Sequence, residues 1–111
     1  MPVSESFREY VIDQLQDVEQ INIRKMFGAV GIYSGGLFFA IISNNTLYFK
    51  VDSTNIKDYQ EQGMMPFKPY KDKDATMDYY EIPVDVLESP HELAAWAHKA
   101  IEVAARARSS E

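Results

Sequence analysis

Phe7, Val11, Leu15 and Val18 recur at intervals of three or four near the start of the chain, and Asp13, Gln14, Asp17 and Glu19 fall mostly on the other side. That spacing predicts an amphipathic helix with one buried stripe, ending near Glu19. Ser6 and Glu9 stand at capping-box spacing and mark its start. From Ile21 the pattern changes to β-branched and aromatic residues broken by turn signals. Gly35-Gly36 has the form of a two-residue hairpin loop of the primed type. Counting outward from that loop sets Tyr33 opposite Phe38, Ile32 opposite Phe39 and Val30 opposite Ile41. Val30, Ile32, Leu37, Phe39 and Ile41 then share an inner, helix-covered face, which leaves Tyr33, Phe38 and Ile42 outside. At Ser43-Asn44-Asn45 a two-residue Asn-Asn loop would carry Leu47, Phe49 and Val51 to the outer face with Ile42. A three-residue loop with one left-handed Asn turns them inward and Tyr48 and Lys50 outward, and this better burial selects the three-residue loop.

Asp52 or Ser53 can cap a short second helix carrying Ile56 and Tyr59, with Gly63 at its left-handed C-terminal position and Pro66 blocking continuation. Two further strands are expected, about Phe67 to Lys71 and Met77 to Ile82, joined by Asp72-Lys73-Asp74-Ala75. Ser89 as cap, Pro90 at the first helical position and Glu92 three residues after the cap open the last helix. Leu93, Trp96, Ala97, Ala100, Ile101 and Ala104 form its apolar stripe, and Arg106 and Arg108 complement its dipole. The order α-β(3)-α-β(2)-α predicts a two-layer α+β fold, an antiparallel sheet with helices on one face.

Composition narrows the function classes. The 111 residues, 46% hydrophobic, suit one domain over 1–111 that folds on its own core. There is no cysteine, which removes disulfides, thiolate metal sites and a cysteine nucleophile and fits a reducing, cytoplasmic setting. The longest apolar run, Leu37 to Ile42, is too short to cross a membrane. A net charge of −6 opposes direct DNA binding and leaves a protein partner, including a second copy of the chain, as the expectation.

Candidate chemistry is sparse. Gly28-Ala29-Val30-Gly31 matches neither dinucleotide-binding nor phosphate-loop patterns and precedes a strand, so a bend or bulge is expected there. His91 and His98 lie two helical turns, about 10 Å, apart and cannot share a metal. Glu81 lacks an identifiable second group for acid-base work. No catalytic residue, metal or cofactor is therefore expected. Lys68, Lys71 and Lys73 with Phe67 and Tyr70 have a basic-aromatic pattern, but Asp72 and Asp74 offset the charge. Arg24-Lys25 before Met26-Phe27-Gly28 could clamp an anion or make a salt bridge, with Met26 and Phe27 anchoring the first strand. The uncovered sheet face carries Tyr33, Phe38, Ile42 and Tyr48, with Met77 and Tyr79 from the last strand, an apolar set for a solvent-facing surface. Arg24, Lys25, Tyr33, Phe38, Ile42, Tyr48 and Tyr79 thus make up the candidate interaction surface.

Arg24-Lys25-Met26-Phe27-Gly28-Ala29-Val30-Gly31-Ile32-Tyr33, the glycine turn, Phe39-Ala40-Ile41-Ile42 and Leu47-Tyr48-Phe49-Lys50-Val51 together resemble the TfoX/Sxy N-terminal domain. Gly63-Met64, Pro66-Phe67 and Met77-Asp78-Tyr79-Tyr80-Glu81-Ile82-Pro83 continue the likeness, which spans roughly Phe7 to Ala105. The resemblance implies the same α-β(3)-α-β(2)-α fold and a link to regulation of natural competence, in which better-known members act with a transcription factor and carry a second, C-terminal domain absent here. The leading expectation is therefore a non-enzymatic regulatory or adaptor domain working through protein-protein contacts, as a homodimer through the aromatic sheet face or the strand edge, or with another protein. A nucleic-acid-binding accessory protein using Arg24, Lys25 and the lysine loop is one alternative. A small-ligand sensor or enzyme at Arg24, Tyr33 and Glu81 is the other.

Overall fold

In a computed structural model, which describes residues 3–26, 28–68 and 78–109, the capping chemistry at the two ends of the chain is met differently. The first helix, α1 (Glu5–Gln14), is capped by Ser4, whose hydroxyl accepts from the Phe7 N–H at 3.2 Å. Ser6 was the expected cap. Ser4 takes the position because its own N–H donates to Asn45 Oδ1 at 2.8 Å, fixing it in extended backbone against a turn of the sheet. The last helix, α4 (Pro90–Ser109 in this chain), begins as its sequence requires, with the Glu92 N–H donating to the Ser89 hydroxyl at 3.3 Å.

Between these helices lie β1 (Ile21–Met26), β2 (Ala29–Ser34), β3 (Leu37–Ser43), β4 (Thr46–Lys50), α2 (Ile56–Gln60), β5 (Tyr79–Glu81) and α3 (Val84–Leu87). The strands form one antiparallel sheet in chain order. The α+β class and two-layer arrangement hold, with buried residues of all four helices joining one core on one side of the sheet. The order differs from α-β(3)-α-β(2)-α in three places. The first expected strand divides into β1 and β2 at a tight hairpin, where Met26 pairs with Ala29 and Gly28 takes φ +81°. Of the expected strand Phe67 to Lys71, the structure shows a single bridge, Pro66 to Tyr80, with Phe67 N–H donating to Tyr79 O. Lys68 pairs with no strand among the described residues, and residues 69–71 of that expected strand, the loop Asp72 to Ala75 and Met77 lie outside them. The short helix α3 was not expected.

The strand register departs from the sequence reading by one residue. Tyr33 does face Phe38, but Ile32 then faces Ala40 and Val30 faces Ile42, with a bulge between Ile32 and Tyr33. Phe39 is the extra residue on β3. Its insertion turns Ala40 and Ile42 into the core and Ile41 to the opposite face. The β3–β4 turn is two residues and not three: Ser43 pairs with Thr46, and both Asn44 and Asn45 have φ +53°. Leu47 therefore lies opposite Ile42, and because the bulge has already moved Ile42 inward, Leu47 and Phe49 are buried as expected. Ile42 is fully buried and leaves the candidate surface. Phe39 packs edge-on against Phe49 with ring centroids 5.4 Å apart.

Ahead of α2 the Asp52 carboxylate accepts from the Thr54 N–H at 2.8 Å, and the helix N-cap position is held by Asn55, which makes no side-chain capping bond. The buried Asn55 side chain accepts from the Asp52 N–H at 2.8 Å and donates to Lys50 O at 3.1 Å, tying the end of β4 to the helix start. The hydrogen bond from the Thr54 hydroxyl, with that from Arg106 behind it, holds the Asp52 carboxyl below its usual range. Gly63, at φ +72°, ends the segment as expected. Tyr59 of α2 is buried edge-on against Trp96 at 4.8 Å, and its hydroxyl has no hydrogen-bond partner among the described residues. A buried unpaired hydroxyl costs about 1–3 kcal/mol. Tyr59→Phe is accordingly expected to raise stability by about 1 kcal/mol, read as a melting temperature a few degrees higher by circular dichroism. A lower melting temperature would mean that the hydroxyl is bonded.

Candidate interaction surface

Alternation along the strands places Arg24 of β1, Gly31 and Tyr33 of β2, Phe38 and Ile41 of β3, Tyr48 and Lys50 of β4, and Tyr79 and Glu81 of β5 on the face away from the helices. Across it the aromatic rings pack on one another. Tyr33 and Phe38 stack at 5.0 Å, Phe38 meets Tyr79 at 5.7 Å, and the Lys50 ammonium sits 5.0 Å from the centre of the Tyr79 ring. Tyr48 packs on Phe67 at 4.8 Å. Tyr79 retains only 3% exposure, so it offers almost nothing to a partner, while Tyr33, Phe38 and Tyr48 are half-buried. Burial raises the phenol pKa of both Tyr79 and Tyr48, helped in Tyr48 by the Glu81 carboxylate.

Gly31 is part of the same packing. A β-carbon there would collide with the Met26 methyl and crowd the Phe38 ring, so the glycine lets these two side chains close over the strand. The glycines of Gly28 to Gly31 thus serve a hairpin turn and a close approach, and no helix start follows them.

Arg24 and Lys25 are both exposed, on opposite sides of β1. β1 is an edge strand, and no strand among the described residues pairs with its other side. The Gly35 N–H donates to Gln20 O at 3.2 Å, extending the β1–β2 register by one pair. In an antiparallel ladder the bonded pairs alternate, so Asn22, Arg24 and Met26 bond to β2, and Ile21, Ile23 and Lys25 direct N–H and C=O toward the open edge. Ile23 is 39% exposed, beside a shallow groove lined by Arg8, Glu9, Ile12 and Asp13 of α1. Arg8 reaches Glu5 at 4.0 Å. At the opposite edge, β5 is met by the chain around Pro66, with Glu81 N–H donating to Met65 O.

The structure therefore brings Tyr33, Phe38 and Tyr79 together, sets Tyr48 beside Phe67, sends Ile42 to the core and leaves Arg24 and Lys25 at the rim. A strand edge is among the expected contacts, but that β1 forms it and that Ile23 lies on it does not follow from the sequence reading, although the alternation Ile21-Asn22-Ile23-Arg24 is a strand signal. Lys68 is exposed, and Tyr70, Lys71 and Lys73 lie outside the described residues. His91 and His98 are exposed, and no cluster of potential metal ligands occurs among the described residues. No helix among them is long and apolar enough to cross a membrane.

The family model described as the TfoX N-terminal domain matches residues 13–104, from α1 through most of α4. No curated protein matches the chain. With most of its length matched, the chain belongs to the TfoX N-terminal domain family, which is associated with competence regulation and is not a known enzyme family.

Proposed function

We propose that this protein is a non-enzymatic regulatory adaptor that acts by protein-protein contact, with the open edge of β1 as its contact surface. The observation that carries this reading is the edge itself: three residues present backbone donors and acceptors outward beside a partly exposed Ile23. An unpaired edge is a template for strand addition by another chain. The aromatic face supports contact less well, because its rings are largely satisfied by one another. The net charge of −6 favours proteins over nucleic acid as partners.

Lys25→Pro is the discriminating variant. It removes an outward N–H, adds a ring at the edge and leaves the bonds to β2 in place. In host cells, photocrosslinking from a photoreactive residue placed at Ile21, which does not depend on the Lys25 amine, is expected to give crosslinks through β1 in the chain that keeps Lys25 and to lose them when Lys25→Pro is added. Unchanged crosslinks would rule out the edge. Fluorescence anisotropy with duplex DNA at low salt is expected to show no binding at micromolar protein, and salt-dependent binding there would move the function to nucleic acid.

A further inference from the structure

Resting on the reading of β1 as the contact surface, we propose that its occupant is a second copy of this chain, paired antiparallel through β1 about a two-fold axis at Ile23 to make one continuous sheet. Self-pairing must match outward-directed residues with outward-directed residues, so Ile21, Ile23 and Lys25 must face members of the same set. With the axis at Ile23, Ile23 faces Ile23 of the second copy and Ile21 faces its Lys25, so all three are used. Moving the axis to Arg24 sets two guanidinium groups opposite each other and takes Ile21 beyond the strand end. Moving it to Asn22 pushes Lys25 past the partner's strand start, where Gln20 at φ +56° breaks the extended backbone.

Side-chain chemistry agrees with that register. Asn22 and Arg24 pair across the axis, an amide against a guanidinium in place of two like charges. On the helix side, Ile23 meets its own image beside Ile12, joining two partly exposed apolar patches. The axis also reverses α1, so Arg8 of one copy comes toward Asp13 of the other, while Glu9 beside Arg8 leaves each groove net acidic and weakens the contact. The contact is a ladder with one small apolar centre, below the size of permanent interfaces, and this places the dimer in the weak, concentration-dependent class.

The absence of cysteine makes a direct test available. Ile23→Cys places the thiol at the axis, where opposed Cα atoms stand about 5.5 Å apart, within disulfide reach. Under mild oxidation at about 100 μM, Ile23→Cys is expected to form a linked dimer roughly tenfold faster than Arg24→Cys, whose image lies diagonally away at about 7–8 Å. An equimolar mixture of Asn22→Cys and Arg24→Cys chains is expected to link predominantly Cys to Cys between the two variants. Light scattering on the natural chain should show the mass rising from 12.7 kDa toward twice that value with concentration, and Lys25→Pro should hold it at 12.7 kDa. Fastest linkage of Arg24→Cys to itself overturns the register. A natural chain that stays monomeric, with no preference for Ile23→Cys, overturns self-pairing, and host-cell crosslinks lost on Lys25→Pro would then assign the edge to a different protein.

Discussion

Ile42→Asp is expected to leave the chain largely unfolded in water at 25 °C, whereas Ile23→Asp is expected to fold with a loss of about 1 kcal/mol. Ile42 is completely buried, paired on one side with Val30 and on the other with Leu47. Deleting an isoleucine side chain from such a position costs about 2–5 kcal/mol, and a carboxylate without a partner in an apolar core adds several more. The sum approaches the total stability of about 5–15 kcal/mol typical of a domain of this size. Ile23 sits at the sheet edge with 39% of its surface in solvent, where a carboxylate stays hydrated. Circular dichroism and urea denaturation of both variants provide the measurement. An Ile42→Asp chain with a near-natural midpoint would refute the bulge at Phe39, since only the bulge places Ile42 inside.

That bulge also shows where the sequence stops being legible. Positions announced by special residues could be read directly: Ser89, Pro90 and Glu92 at the start of α4, Gly63 after α2, and the Gly35-Gly36 turn that sets Tyr33 against Phe38. The run Leu37 to Ile42 is apolar at every position, so an inserted residue changes no hydrophobic alternation and leaves no trace. The adjoining Asn-Asn turn was misread by one residue in the compensating direction, and Leu47, Phe49 and Val51 consequently fell on the correct face by a wrong route. The aromatics of the outer face were recognisable as a set, but their mutual stacking depends on the bulged register and on Met26 and Phe38 closing over Gly31. In the sequence Arg24 and Lys25 stand out as cations between elements, which masks the strand that contains them. Their importance lies in which way their backbone points, a property that only the pairing of β1 with β2 reveals.

Proline substitution at these two adjacent, exposed positions is therefore expected to give opposite results. Arg24 lies on the bonded side of the ladder opposite Gly31. Arg24→Pro removes an N–H that bonds β2 and leaves a carbonyl there without its donor, a loss of about 2–3 kcal/mol. For a domain near 100 residues this lowers the melting temperature by roughly 10 °C. Lys25→Pro removes only an outward N–H, so its cost is expected to stay below about 1 kcal/mol. Side-chain burial cannot produce this contrast, because both side chains are exposed. Thermal unfolding of the two variants measures the alternation of β1 independently of any partner. A larger loss for Lys25→Pro would mean that Asn22, Arg24 and Met26 face the open edge, and the two-fold axis at Ile23 would lose its geometric basis. The expected ranking leaves Ile21, Ile23 and Lys25 facing outward, which is the condition under which strand addition at this edge can occur without disturbing the sheet behind it.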